Sequence, residues 1–325
     1  MALSMEKHIE ELLSSELHYL SVVKVKDVTG GLVNKASLYE TNEGKIFVKY
    51  AERKVAEDMF KAEETSLQLF DRIGIIRVPH PIKVLPLPNG GAAFVMEYLE
   101  GLEPMKSRWG ELGQKMARLH RHNADLLAAA ALQDSSVHKA QVAAPVSSFG
   151  FHTSTFYGSE FSTPPGVWCQ SWPEYFARHL LQPQFEMIEK KYRDQELRVL
   201  WAELQLVLHK AFHNLHIQPA LLHGDFCAIN VAEHEDQVVT FDPMCSYGHS
   251  EFDLTIVEME KNYGEDFKKC YDQVLPESRG YSTRMKLYHT FACLLISLVP
   301  MEVDLRNEAK KSIREFLTAV NNDKT

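Results

Sequence analysis

The chain has 325 residues, 45% of them apolar and 24% charged, which is the balance of a folded soluble protein and longer than the roughly 100 to 200 residues of one domain. Its 35 Lys and Arg against 44 Asp and Glu give a net charge of -9 with no long basic run, so nucleic acid and anionic membrane are excluded as expected partners. No apolar stretch approaches the roughly 20 residues of a bilayer span. The acidic start MALSMEKHIEELL does not read as an export signal, and five scattered cysteines without metal-ligand spacing point to a reduced, cytoplasmic protein.

In chain order, residues 21–28, 33–41 and 45–50 alternate apolar and polar side chains and are separated by Gly30-Gly31 and Asn42-Glu43-Gly44, which predicts an antiparallel sheet built from hairpins. Residues 55–70 place Val55, Met59, Phe60, Glu63, Leu67 and Phe70 at steps of three and four, predicting a helix. Strands are expected again at 82–86 and 92–96, around a Pro- and Gly-rich turn. Beyond residue 104 the pattern turns helical, at 112–122, 172–191, 195–215, 251–262, 283–298 and 307–320, with short apolar runs at 220–223 and 238–241. The expected fold class is α+β in two lobes: a small antiparallel β lobe with one helix at 1–98, and a larger, mainly helical lobe at 99–325. The hinge is expected at about 97–104 and a long loop at 124–150.

The chemistry concentrates in PALLHGDFCAINVAEHEDQVVTFD, residues 219–242. One apolar run delivers His223-Gly224-Asp225, Asn230 follows, and a second apolar run delivers Asp242. Phosphoryl transfer needs such a set: a carboxylate for the proton of the attacking hydroxyl, and Asn and Asp oxygens for the hard Mg²⁺ ions that hold nucleotide phosphates. Asp225 is accordingly the expected base, with Asn230 and Asp242 as magnesium ligands and ATP as the phosphate donor.

This reading makes demands upstream. Gly30 and Gly31 would let a hairpin backbone approach the phosphates. Lys49 on the third strand would pair with those phosphates and with Glu63 on the following helix, Glu64 being the alternative. The interlobe residues Glu97, Tyr98 and Leu99 would offer backbone groups to the adenine.

With these residues in place the chain resembles the fructosamine-3-kinase and ketosamine-3-kinase family, relatives of aminoglycoside and choline kinases with a protein-kinase-like fold. The segments that carry the resemblance include FVK at 47–49, VPHPIKVL at 78–85, GGAAFVMEYL at 90–99, WPEYFARHLL at 172–181, PALLHGD at 219–225 and FDPMCSYGHSEFDL at 241–254. The resemblance implies phosphorylation of the 3-hydroxyl of ketosamines, the sugar adducts of lysine and free amines, and so deglycation of protein. It also implies an acceptor pocket whose candidate contacts are Trp168, Trp172, His223, His249 and Glu251. Several positions depart from the family pattern: Cys227 stands in place of a Trp, Ile229 in place of a Gly, Leu32 in place of a Cys and Ser171 in place of an Asp. A kinase of another sugar or amino alcohol, and a nucleotide-binding pseudokinase, therefore stand as alternatives. A protein kinase does not fit, because Gly224 stands where the catalytic loop would carry Arg, and Asp242 is followed by Pro243.

Overall fold

A computed structural model describes residues 5–28, 34–88, 90–133, 144–158, 160–260, 262–299 and 303–322. The helices and strands run, in chain order, α1 (Met5–Leu17), β1 (Val22–Val28), β2 (Lys35–Thr41), β3 (Gly44–Ala51), α2 (Ala56–Ile73), β4 (Pro81–Pro86), β5 (Ala92–Glu97), β6 (Glu103–Pro104) and α3 (Trp109–Gln133). Then come β7 (Phe149–Gly150), β8 (Thr155–Tyr157), β9 (Phe161–Thr163), β10 (Trp168–Cys169), α4 (Trp172–Tyr175), α5 (Gln182–Tyr192), α6 (Gln195–Val207), β11 (Ala220–Leu222), β12 (Val231–His234), β13 (Gln237–Thr240) and β14 (Ser246–Gly248). The chain ends with α7 (Leu254–Met259), α8 (Glu265–Asp272), α9 (Tyr281–Leu298) and α10 (Arg306–Asn322). It divides into two compact units, one of residues 1–104 with 231–243, the other of residues 105–230 with 244–325.

The first unit is built on a five-stranded antiparallel sheet in the order β1-β2-β3-β5-β4. Alternation along β3 and β5 sends Val48 and Val95 to one face, where Ile9 and Leu13 of α1 pack with them, and Phe94 to the other, where it meets Phe60 of α2. Lys49, one residue after Val48, therefore points to the α2 face. α2 ends where Gly74 turns left-handed at φ 68° and donates its N–H to the Phe70 carbonyl. The amphipathic helix α1 was not expected from the sequence, although Ile9 and Leu13 stand four residues apart.

The sequence reading left 231–243 in the second lobe, whereas β12 and β13 form a hairpin whose β12 pairs with β6, and the Thr240 N–H reaches the Arg77 carbonyl. This returning hairpin belongs to the first unit for that reason.

In the second unit α3 packs on α8 and β11, and α5, α6, α9 and α10 pack around a core that includes Phe176, Leu204, Tyr288, Leu294 and Phe316. A small sheet, β10-β7-β14-β11, carries the segment before Asp225. The expected loop at 124–150 is corrected over its first part: α3 continues to Gln133, because the Ala- and Leu-rich stretch 126–132 favours helix and ends in no breaker. The expected helix 195–215 stops at Val207 and tightens into a 3₁₀ turn, Leu208–Phe212. Residues 251–262 form a short turn and α7 rather than one helix, and α8 was not anticipated.

Candidate active site

The site residues fall into two groups, one in each unit. In the first unit, Lys49 on β3 and Glu63 on α2 meet across the sheet face, with Lys49 Nζ 2.7 Å from Glu63 Oε1. Asp242, which follows β13, also accepts from Lys49 Nζ. Lys49 and Glu63 are largely buried, while the Asp242 side chain is 47% exposed and its backbone is left-handed at φ 52°. A left-handed Asp is affordable because its short polar side chain tolerates that region.

Burial works against the Lys49 ammonium, but the Asp242 and Glu63 carboxylates outweigh it and hold the amine above its ordinary range. Burial pushes Glu63 up, Lys49 pulls it back, and the Asp242 charge raises it again. The trio is thus a charged lysine held between two carboxyl groups.

Gly30 and Gly31 lie outside the described residues. Glu97 has its side chain and its backbone N–H engaged within the first unit. Its carboxylate is paired with Arg77 and accepts the His80 N–H, and its own N–H bonds the His80 carbonyl at 2.9 Å. Its backbone donor is therefore already engaged, and Leu99 is buried.

In the second unit β11 delivers His223 in a fully buried position, and Gly224 then turns left-handed at φ 85°. A Cβ on Gly224 would sit 2.1 Å from the Met244 carbonyl oxygen, so only glycine fits between His223 and Asp225. The Asp225 side chain is held by Asn230, whose Nδ2 donates to Asp225 Oδ2 at 2.8 Å and to the Asp225 carbonyl at 2.9 Å. These bonds turn the Asn230 amide oxygen away from Asp225.

Three side chains brace this loop from outside it, and none was assigned a role from the sequence. Asp253 accepts the His223 N–H at 2.5 Å and the Gly224 N–H at 2.9 Å, and His120 Nε2 lies 3.2 Å from the same carboxylate. Glu260 accepts the Ala228 N–H, and the Tyr263 hydroxyl donates to the Phe226 carbonyl. Asp253 stands directly before α7, inside the stretch 251–262 that the sequence pattern reads as a single helix.

The two departures in this loop leave it intact. Ile229 is 71% exposed in the turn Ala228–Asn230, without a positive φ, so its side chain projects to solvent. Cys227 is buried, and burial together with the Asp225 and Glu260 charges pushes its thiol up, so it stays protonated at neutral pH.

Of the expected acceptor contacts, Trp172, His249 and Glu251 lie together, with the Trp172 and His249 rings 6.5 Å apart and His249 Nδ1 3.8 Å from Glu251 Oε2, but as packed or bonded residues of the interior. Trp168 on β10 is 40% exposed beside Tyr247. Trp172 is corrected to a core residue: it is 1% exposed, packs among Phe149, Phe176 and Phe252, and donates its indole N–H to the Tyr288 hydroxyl. His223 is buried under the loop. Glu251 is likewise corrected, because both its oxygens are engaged by Arg284 and one also by Ser278, and these bonds hold it below the ordinary carboxylate range despite burial. His249 is buried against Tyr288.

The whole-chain comparisons bear on this geometry. The fructosamine kinase family model matches residues 4–319. The chain belongs to the fructosamine kinase family. It is 36% identical to ketosamine-3-kinase of Mus musculus over 286 residues, covering 87% of this chain and 92% of that protein. It is 30% identical to the chloroplastic protein-ribulosamine 3-kinase of Arabidopsis thaliana, with 89% and 81% covered. Among solved structures, one assigned as a fructosamine-3-kinase from Haemophilus somnus superposes with a TM-score of 0.77 at 20% identity, covering 96% of this chain and 98% of that one. An aminoglycoside phosphotransferase, APH(4)-Ia, in a ternary complex with AMP-PNP and hygromycin B, gives 0.61 at 13% identity, covering 98% of this chain and 99% of that one. The fold of this family member is therefore the protein-kinase-like α+β fold, and the chain is a kinase by family.

Proposed function

We propose that the chain is an ATP- and Mg²⁺-dependent kinase that phosphorylates the 3-hydroxyl of ketosamines, the fructosyl and ribulosyl adducts of amines, and thereby deglycates protein. The observation that carries this reading is Asp225, held by Asn230 on a loop braced by Asp253, in a member of the fructosamine kinase family. In this role the Asp225 carboxylate accepts the proton of the attacking 3-hydroxyl as the phosphoryl group leaves ATP. Asn230 fixes Asp225 by one hydrogen bond to its carboxylate and one to its backbone carbonyl, so the carboxylate need not reorganise during transfer.

Asn230 and Asp242 would hold magnesium, and their donor chemistry fits: a neutral amide oxygen and a carboxylate, both hard ligands. Among the described residues no cluster of three His, Cys, Asp or Glu side chains forms a metal cage, in keeping with an ion that also takes its ligands from phosphate. When bound, magnesium would neutralise charge on the transferring phosphate. Lys49 would bind phosphate oxygens while Glu63 keeps its ammonium charged and aligned. Gly30 and Gly31, outside the described residues, would cover the phosphates, and Tyr98 and Leu99 would present backbone to the adenine. Trp168, exposed and aromatic, is the contact we retain for the sugar.

The cytoplasmic location is supported by five scattered cysteines that form no disulfide. No helix is long and apolar enough to cross a membrane among the described residues.

The test is ATP consumption with Mg²⁺ in the presence of fructosyl-lysine or ribulosyl-lysine, with Asp225→Asn as the control. Acceptor-dependent turnover should fall by about 10²- to 10⁴-fold in the variant while ATP binding persists. Undiminished turnover would remove Asp225 from the reaction. ATP binding without turnover on either acceptor would move the substrate to another alcohol.

A further inference from the structure

The second unit contains a cleft of about 200 Å³ that the proposed chemistry does not use. Its lining comes from the middle of α3, the segment before β11, the turn at 249–251, and the stretch from the end of α8 to the start of α9. Asp225 and Asn230 are not part of the wall, which touches β11 only at Ala220, the end of the strand away from the catalytic loop.

His249 lines this cleft and is 7% exposed. Its hydrogen-bonding state follows from its neighbours. The Tyr288 hydroxyl has one proton and accepts the Trp172 indole N–H at 2.9 Å, an interaction in which Trp can only donate. The remaining partner of that hydroxyl is His249 Nδ1, at 2.8 Å, so the tyrosine proton is donated to Nδ1. Burial lowers the imidazole to about 4, which keeps it neutral at physiological pH. A neutral ring that accepts at Nδ1 carries its proton on Nε2. Nε2 has no hydrogen-bond partner among the described residues, so a fixed N–H donor stands unpaired in the wall of a cleft.

The other walls limit what would accept that bond. The lining arginine, Arg121, is held by Asp125 and the Val274 carbonyl, so an anionic ligand meets no available counter-ion there. Asp272 and Glu277 share the single ammonium of Lys268, leaving a surplus of carboxylate acceptors at the rim. Leu215, Ile217 and Leu254 supply apolar contact. The space is below the roughly 300 Å³ at which drug-sized sites begin.

We infer that this cleft is a second ligand site, for one neutral polyhydroxylated molecule of monosaccharide size. A sugar or polyol hydroxyl accepts from His249 Nε2–H, neighbouring hydroxyls donate to the Asp272 and Glu277 carboxylates, and C–H edges lie on Leu215, Ile217 and Leu254. This inference does not depend on the kinase reading, because binding here needs neither ATP nor Asp225.

The test follows the histidine side-chain ¹⁵N–¹H correlations of the ¹⁵N-labelled full chain without nucleotide. His249 is assigned by its loss in His249→Gln, and D-fructose, sorbitol and inorganic phosphate are added in turn. The expected result is an Nε2–H tautomer at neutral pH whose Nε2 resonance shifts saturably with fructose or sorbitol and not with phosphate. The shift should persist in Asp225→Asn and be lost in Ala124→Phe, which fills the cleft from a half-buried helix position, and in Gln218→Trp, which does so from the exposed rim. An Nδ1–H tautomer, a shift with phosphate alone, no saturable shift with either polyol, or a polyol shift that survives in folded Ala124→Phe and Gln218→Trp would each overturn the inference.

Discussion

The two halves of the candidate site are held in place by different forces. In the first unit Lys49, Glu63 and Asp242 are fixed by charge: one ammonium between two carboxylates, with few other bonds to keep them there. In the second unit the Asp225 loop is fixed by backbone geometry: a glycine no other residue can replace, and N–H groups bonded to Asp253 and Glu260. A charge-held cluster can exchange a carboxylate for a phosphate at little cost, whereas a backbone-held loop keeps its shape whatever is bound. That division would suit the proposed roles, a lysine that receives nucleotide and a base that does not move.

The contrast is broken most severely at Gly224. Gly224→Ala brings a Cβ to 2.1 Å from the Met244 carbonyl and demands a left-handed Ala. We expect more than about 4 kcal/mol of destabilisation, or a displaced loop with transfer lost and ATP binding kept. Denaturant unfolding and nucleotide titration on the same variant separate these outcomes, and a fully active Gly224→Ala would refute the backbone argument. The charged half responds differently. Lys49→Met leaves Glu63 buried without its partner and should cost about 3 to 5 kcal/mol, a range whose lower end applies because Asp242 is half exposed. Adding Glu63→Gln should restore part of that loss without restoring ATP binding. An additive double variant would mean that the two side chains do not interact.

Acid sharpens the comparison because it reaches a buried group outside the loop. His249 is depressed from 6.5 to about 4 by burial, so between those values the unfolded chain binds more protons than the folded one. Its contribution is complete above about pH 6.5 and is lost as pH falls toward 4, up to about 3 kcal/mol from a shift of this size. Glu63, raised by burial, acts in the opposite sense as pH falls, so the measurement is the difference between wild type and His249→Gln across pH 4 to 7. Parallel stability curves for the two proteins would show that His249 titrates normally.

Much of the charged half was legible in the sequence because its parts are local. Lys49 and Glu63 sit on a strand and the next helix, and the period-two and period-3.6 patterns fix which way each side chain faces. Asp225, Asn230 and Asp242 lie within 18 consecutive residues bounded by apolar runs. The supports of the loop were not legible, because Asp253 meets His120 across 133 positions and His223 across 30, and nothing in either segment encodes the partner. The same limit explains Trp172 and Glu251. An aromatic and a carboxylate near a motif look like ligand contacts until Tyr288 and Arg284, distant in the chain, take up their polar atoms. The pairing of β12 with β6 was hidden for the same reason.

Asp253 offers a subtler test than Gly224, since the carboxylate can be made neutral without changing its size. Asp253→Asn keeps one oxygen for two backbone N–H groups and turns an NH₂ toward the other, which should cost about 1 to 3 kcal/mol. As a positioning residue it should lower kcat and leave the KM for ATP unchanged. A rise in that KM with kcat preserved would assign Asp253 to nucleotide binding instead.

The smallest effect is expected at Ile229, the exposed residue of the catalytic loop. Ile229 stands where the family resemblance implies a glycine, and a pseudokinase reading requires that its side chain distort the loop. At 71% exposure, with an ordinary backbone and the Asn230 bonds to Asp225 in place, it has nothing to distort. Ile229→Gly removes little buried surface and adds some chain entropy to the unfolded state, so stability should change by less than about 1 kcal/mol and kcat/KM by less than about fivefold. A large gain of turnover in Ile229→Gly would show that the loop in this chain is held away from its active shape, and the difference between the two halves of the site would then lie in how far each has drifted rather than in how each is held.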